Sequence, residues 1–167
     1  DHKWELLKTF SCSLKVGHFS DIRVEGEKNQ VGIAFEDKER RRKLSIEISC
    51  NEAAHRLQQA KRLVITAHIN PDGDALGSAL GLQELLHQQG KEALVLIDDD
   101  LPKNFSFLPG YDQVQRPEQP HYEADLLVVL DASLDRIGSV REKCPAPVLN
   151  IDHHVSNDGA ADWRSEE

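Results

Sequence analysis

The residues best suited to chemistry fall in three short stretches: His68-Ile69-Asn70-Pro71-Asp72-Gly73-Asp74, Asp131, and Asp152-His153-His154. Together these stretches hold seven carboxylate and imidazole side chains. Carboxylates brought close together repel, and raise one another's pKa, unless a cation sits among them. Carboxylate with imidazole, and no thiolate, suits Mn²⁺, Mg²⁺ or Fe²⁺ better than a structural zinc. The chemistry to expect is metal-assisted. Each residue alone has a plainer reading. A lone Asp after a strand is usually a helix cap, and Asp74 before Ala75 could be only that. A lone His near a core is usually just hydrogen-bonded. The argument rests on seven such groups recurring at three comparable places.

What makes the places comparable is the element before each. Apolar runs predict strands at 62–67, 125–130 and 147–151, and each ends directly before one of the three stretches. A fourth apolar run covers 93–97. Residues 51–60 read as a helix capped by Asn51, and 75–89 as a second helix ended by Gly90. Continuous apolar strands alternating with helices predict an α/β domain of three layers, its mainly parallel sheet covered on both faces. In an open parallel sheet, ligands gather beyond the carboxyl ends of the strands, so the three stretches can converge in one crevice. Pro71 and Gly73 shape a turn able to aim His68, Asp72 and Asp74 inward.

The first fifty residues differ. Short period-two runs at 13–16, 21–24, 31–35 and 44–48, separated by Gly17, Gly26 and Asn29, predict short antiparallel strands. The basic run 38–43 reads as a solvated turn rather than a nucleic-acid patch, because Glu36, Asp37 and Glu39 dilute it. No chemical motif lies here. The expected organisation is a small β-rich appendage over 1–50 and the chemically equipped domain over 51–167.

Charge narrows the partners. The net charge of −9 divides into +1 over residues 1–50 (10 basic against 9 acidic) and −10 over 51–167 (10 against 20). Such a surface does not bind long duplex nucleic acid by Coulombic attraction, so a phosphate-handling site must bring its own cations. No apolar run approaches the ~20 residues of a membrane-spanning helix, and no secretory N-terminus is recognisable. Cys12, Cys50 and Cys144 are odd in number and widely spaced, which argues against a disulfide framework and for a reducing, cytoplasmic setting. The chain has no methionine, even at its start, so it is expected to be processed, a fragment, or incompletely transcribed.

At these residues the sequence resembles the DHH phosphoesterase superfamily. Residues 68–78 resemble its first motif, Asp131-Ala132-Ser133 its second, and Asp152-His153-His154 the triplet that names it. The stretches Phe105-Ser106-Phe107-Leu108-Pro109-Gly110 and Asp135-Arg136-Ile137-Gly138 resemble the branch of bifunctional oligoribonucleases and pAp phosphatases. The similarity spans about residues 51–163 and does not extend to 1–50. It implies a phosphoesterase using two metal ions, usually Mn²⁺, with Mg²⁺ or Fe²⁺ as alternatives. His68 and Asp72 would hold one ion, Asp74 and His153 the other, and Asp131 would bridge them. Asp152 and Asn70 would support these ligands, while Ser133, Arg136 and His154 would meet the substrate. His154 and Asp131 would carry the catalysis. Two cations ~3.5–4 Å apart deprotonate a shared water and clamp the attacking and leaving oxygens.

The resemblance also sets limits. The family supplies a fourth motif, another metal-binding Asp, and then a C-terminal substrate-binding domain, and this chain reaches Glu167 before either. The segment 131–138 is one residue shorter than the branch's pattern. The expectation is therefore a catalytic domain acting on short RNA or pAp, weak or inactive alone, with a homodimer as a candidate assembly. Hydrolysis of cyclic dinucleotides is the near alternative, and a non-catalytic regulatory module on the same fold is the distant one. An inorganic pyrophosphatase fits less well, because residues 105–110 point to the nucleotide-directed branch.

Overall fold

The computed structural model describes residues 46–154 and 161–165, together with the backbone of 22–25 and 32–35. The chain forms two compact units, residues 1–42 and 43–167. In the first, β1 (Ile22–Glu25) and β2 (Gly32–Phe35) pair antiparallel with Ile22 opposite Phe35. The strand expected at 13–16 and the basic run 38–43 lie outside the described residues.

The second unit alternates strands and helices: β3 (Ile46–Glu47), α1 (Cys50–Gln59), β4 (Arg62–Thr66), α2 (Gly73–Gln88), β5 (Glu92–Val95), β6 (Leu126–Leu130), α3 (Val140–Lys143), β7 (Val148–Ile151) and β8 (Trp163–Ser165). Its six strands stand in the order β3-β8-β7-β6-β4-β5, and every neighbouring pair is parallel. This is the expected α/β class. Strands buried on both faces need apolar side chains at successive positions, and β6 is buried at all five.

Alternation then sorts these side chains into two cores. Leu63, Ile65, Val95, Leu126, Val128, Leu130 and Leu149 pack with Ala53 of α1 and with Ala75, Leu76, Ala79, Leu80 and Leu86 of α2. Val64, Leu96, Leu127, Val129 and Val148 point the other way, against Tyr122, Ile137, Val140 and Cys144. Each fully buried Val, Leu or Ile contributes ~1.5–3 kcal/mol by leaving water. Among the described residues no helix is long and apolar enough to cross a membrane.

Three local readings change. Ser49, not Asn51, caps α1, its hydroxyl accepting from the Glu52 amide at 3.3 Å while its own backbone stays extended. Helix α2 starts at Gly73, two residues before the expected Ala75, with Asp72 as its cap. It ends as foreseen, for Gly90 adopts φ 73° and its amide reaches the His87 carbonyl while the Lys91 amide reaches that of Leu86. The third change concerns 44–48, expected among antiparallel strands. Ile46–Glu47 instead joins the large sheet, parallel to β8, with Ile46 opposite Trp163.

Strand β4 lies between β5 and β6, and the chain leaves β4 toward one side and β6 toward the other. That reversal opens a crevice beyond the carboxyl ends of β4 and β6.

Candidate functional site

The turn after β4 brings the first group. His68 is buried, and its Nδ1 lies 2.8 Å from the Ile69 carbonyl, a contact that places the ring proton on Nδ1 and leaves Nε2 as an acceptor. Asn70 follows at φ 53°, the left-handed region that Asn tolerates better than most residues. Asp72 then does two things. Its Oδ1 accepts the Asp74 and Ala75 amides at 3.0 Å each, capping α2, while Oδ2 lies 3.9 Å from His68 Nε2. The Ala75 amide is the main cause holding Asp72 below the usual carboxylate range; partial burial opposes it, and the Asp74 amide and the His68 and His154 rings assist. Capping and ligand geometry coexist in one carboxylate. Gly73 is needed beside it, because a Cβ there would sit 3.1 Å from the ring of Phe105.

Asp131 comes directly after β6, also at φ 53°. Its side chain is only 10% exposed, 3.8 Å from His153 Nε2 and 3.4 Å from His154 Nδ1. Among the described residues its Oδ1 is buried without a hydrogen-bond partner. Burial pushes its carboxyl above the ordinary value, and the charge of Asp74 adds to this; His154 opposes it, Asp72 adds, and His153 opposes. A buried carboxylate oxygen without a donor, beside two other carboxylates, is costly as it stands.

The third group follows β7. Asp152 is buried, and its Oδ1 accepts from the His154 amide at 3.1 Å and from His154 Nδ1 at 2.7 Å. That side-chain bond raises the His154 pKa, against a smaller loss from desolvation, and the charges of Asp152 and Asp131 raise it further.

Two sets of ligand atoms result, each within 4.8 Å of one another: His68, Asp72 and Asp131 in one, Asp131, His153 and His154 in the other. Asp131 belongs to both. Asp74 stands outside these sets, its Oδ1 3.4 Å from the Ser78 hydroxyl, yet it lines a cavity of about 470 Å³ with Asp131, Asp152 and His153. The rest of that cavity's lining is Ser78 with Gly81, Leu82, Leu85, Leu130 and Ile151, largely apolar. Ser133 and Arg136 lie on the loop after Asp131. The Ser133 hydroxyl bonds the Asp135 carboxylate; Arg136 is exposed, and its charge works against protonation of His154. Asn70 donates its amide to Asp99 Oδ2 at 2.8 Å, so its part is played by the backbone. Asp98 and Asp99 were missed in the sequence. The signal was available: they follow the apolar run at 93–97 as the other carboxylates follow theirs.

The residues fit a divalent cation. Oxygen and imidazole donors converge, no thiolate is among them, and the orphaned Asp131 oxygen faces both sets.

Comparison with known proteins covers the span that holds these residues. Residues 62–164 match the DHH family, N-terminal domain. A bifunctional oligoribonuclease and PAP phosphatase NrnA of Thermus thermophilus is 38% identical over 96 residues, covering 57% of this chain and 28% of its own length. The NrnA of Bacillus subtilis is 33% identical over 101 residues, covering 60% and 31%. The chain thus spans roughly a third of these relatives. Among solved structures, an exopolyphosphatase-related protein from Bacteroides fragilis superposes with a TM-score of 0.61 at 28% identity, over 70% of this chain and 38% of the other. Motifs, parallel sheet and matched span lead to one assignment: the chain belongs to the DHH family.

Proposed function

We propose that this chain is the catalytic domain of a metal-dependent phosphoesterase that hydrolyses short oligoribonucleotides or pAp. The observation that carries the reading is Asp131, one buried carboxylate common to two ligand sets beyond a parallel sheet. The relatives' names supply the substrate class, since they are oligoribonucleases and PAP phosphatases. A basic surface is unnecessary for this task, because the cations would supply the positive field.

In this proposal His68 and Asp72 would hold one Mn²⁺ and Asp74 and His153 a second, with Asp131 shared between them. Bound there, the ions would acidify a water and polarise the phosphate. The chain's own residues do the rest. His154 gives Nδ1 to Asp152, which fixes its ring and leaves Nε2 able to donate a proton to the departing oxygen. Its raised pKa extends the protonated form toward neutral pH. Ser133 and Arg136 would hold phosphate oxygens, Arg136 with the bidentate geometry that suits them. Asp152 orients His154 without touching substrate.

The test compares Asp131→Ala with His154→Ala, each in the whole protein of which this domain is part, in Mn²⁺ titration and in hydrolysis of pAp and a short oligoribonucleotide. Losing the bridge should abolish Mn²⁺-stimulated hydrolysis and weaken metal binding. Losing the proton donor should keep metal binding and lower turnover by ~10²–10⁴-fold. Unchanged Mn²⁺ binding in Asp131→Ala would overturn the bridge. Robust cleavage of a cyclic dinucleotide with neither linear substrate touched would replace the substrate class.

A further inference from the structure

Three carboxylates in succession follow β5, and none of them is used by the ligand sets. Each has its own engagement. Asp100 Oδ1 pairs with Arg116 at 2.9 Å, an exposed contact of small energetic weight. Asp99 Oδ2 accepts the Asn70 amide at 2.8 Å. Asp98 Oδ2 accepts the Ser139 amide at 2.7 Å.

The last two contacts reach the two loops that carry the site. Asn70 lies midway between His68 and Asp72, and its φ of 53° is a left-handed conformation that Asn tolerates and that a hydrogen-bond partner on its amide holds in place. The Asp99 carboxylate is positioned to do so. Gly138, just before Ser139, has φ 60°, and a Cβ there would lie 2.4 Å from Asp98 Oδ2 and 2.6 Å from Asp98 Cβ. The loop therefore presses its backbone directly onto Asp98. Two residues earlier stands Arg136, whose carbonyl accepts the Ile69 amide at 2.9 Å and so ties the loops to each other. The Ser139 amide is the main cause that keeps the Asp98 carboxyl below its ordinary value.

We propose that Asp98 and Asp99 are positioning residues: Asp99 fixes the turn that carries His68 and Asp72, and Asp98 fixes the loop that carries Arg136. The inference rests on the phosphoesterase reading for the role of Arg136, whereas the Asp99 part needs only that the site takes up a metal. Neither carboxylate belongs to the ligand sets. Each acts through a backbone amide that sets where another side chain stands.

The two parts have separable readouts. In the whole protein of which this domain is part, after melting curves confirm folding, Asp99→Ala should weaken Mn²⁺ binding measured by calorimetry by ~10–100-fold, the usual cost of losing a partner behind a metal ligand. Asp99→Asn keeps an oxygen acceptor for the Asn70 amide and should bind Mn²⁺ near the wild-type level. Asp98→Ala should leave Mn²⁺ affinity in place but raise KM for pAp by about tenfold, the worth of one charge-assisted hydrogen bond, more than it lowers kcat. Asp98→Asn should restore KM, and Gly138→Ala should copy Asp98→Ala. Where an alanine variant does not fold, the serine variant at the same position replaces it. Wild-type Mn²⁺ affinity in Asp99→Ala, or no Mn²⁺ uptake by the wild type, overturns the Asp99 assignment. An unchanged KM, or one identical pattern from both alanines, overturns the Asp98 assignment. A whole protein that binds Mn²⁺ but leaves pAp intact sinks the phosphoesterase reading and the Asp98 part with it, while the metal titration still decides Asp99.

Discussion

Asp131 concentrates the site's conflict in one side chain. Its Oδ1 is buried without a hydrogen bond, and Asp72 and Asp74 act on it with like charge. The folded state carries that cost whenever no cation is bound. Asp131→Asn removes the charge, and Asn tolerates the φ of 53° well. The expected outcome is a metal-free protein about 1 kcal/mol more stable, with a melting temperature ~2–4 °C higher. Mn²⁺ should stabilise the wild type by RT ln(1 + [Mn²⁺]/Kd) and leave the Asn variant almost unmoved. Calorimetric melts with and without Mn²⁺ check both halves, and a variant melting below the wild type would contradict the first. At this scale much was legible beforehand. Spacing after apolar runs brought His68, Asp72, Asp131 and His153 into view. What did not show was which carboxylate caps the helix: the cap reading was weighed for Asp74, whereas Asp72 is the cap and also stands among the clustered ligand atoms.

Among the elements, the strands were the clearest, because four continuous apolar runs leave few alternatives to a doubly covered parallel sheet. Their ends differ from expectation by one or two residues. The exceptions are β3 and β8, short and polar in part, whose pairing depends on a neighbour supplied from far along the chain. No local pattern encodes that. Another device hidden from the sequence pins the start of β4: Asp125 Oδ2 accepts the Lys61 and Arg62 amides at 3.0 and 2.9 Å. The Arg62 amide first, then that of Lys61, lowers the Asp125 pKa below 3.8. A depressed folded-state pKa means the contribution is complete above 3.8 and is lost as pH falls through the lower folded value. Asp125→Asn should thus show a shallower decline in melting temperature on acidification below pH 3.8 than the wild type. The difference is small, because the group is partly exposed and screened. An equal decline in both proteins would show that the carboxylate is not ion-specific there.

For the whole molecule, the same reversal of strand order that opens the crevice also gathers residues from 68 to 154 at one end of the sheet. The domain already carries a net charge of −10 over residues 51–167, so carboxylates gathered there repel one another, and bound cations would relieve that. The six-stranded sheet also has an edge with an unusual origin. Strand β3 comes before every other strand of its sheet and β8 after them all, yet they are neighbours, and the Asp152 amide reaches the Ser165 carbonyl at 3.3 Å. Closing that edge means closing nearly the whole loop of the unit, an entropic cost recovered only once the intervening strands are in place. Folding should therefore finish there. A protease cut between residues 160 and 163 would free both edge strands together, strip β7 of its partner on that side and unseat the backbone of the His-bearing triplet. Amide exchange of residues 148–152 after such a cut should rise while that of β4 and β6 stays slow. The order in which the chain is assembled would then be written in the order in which it comes apart.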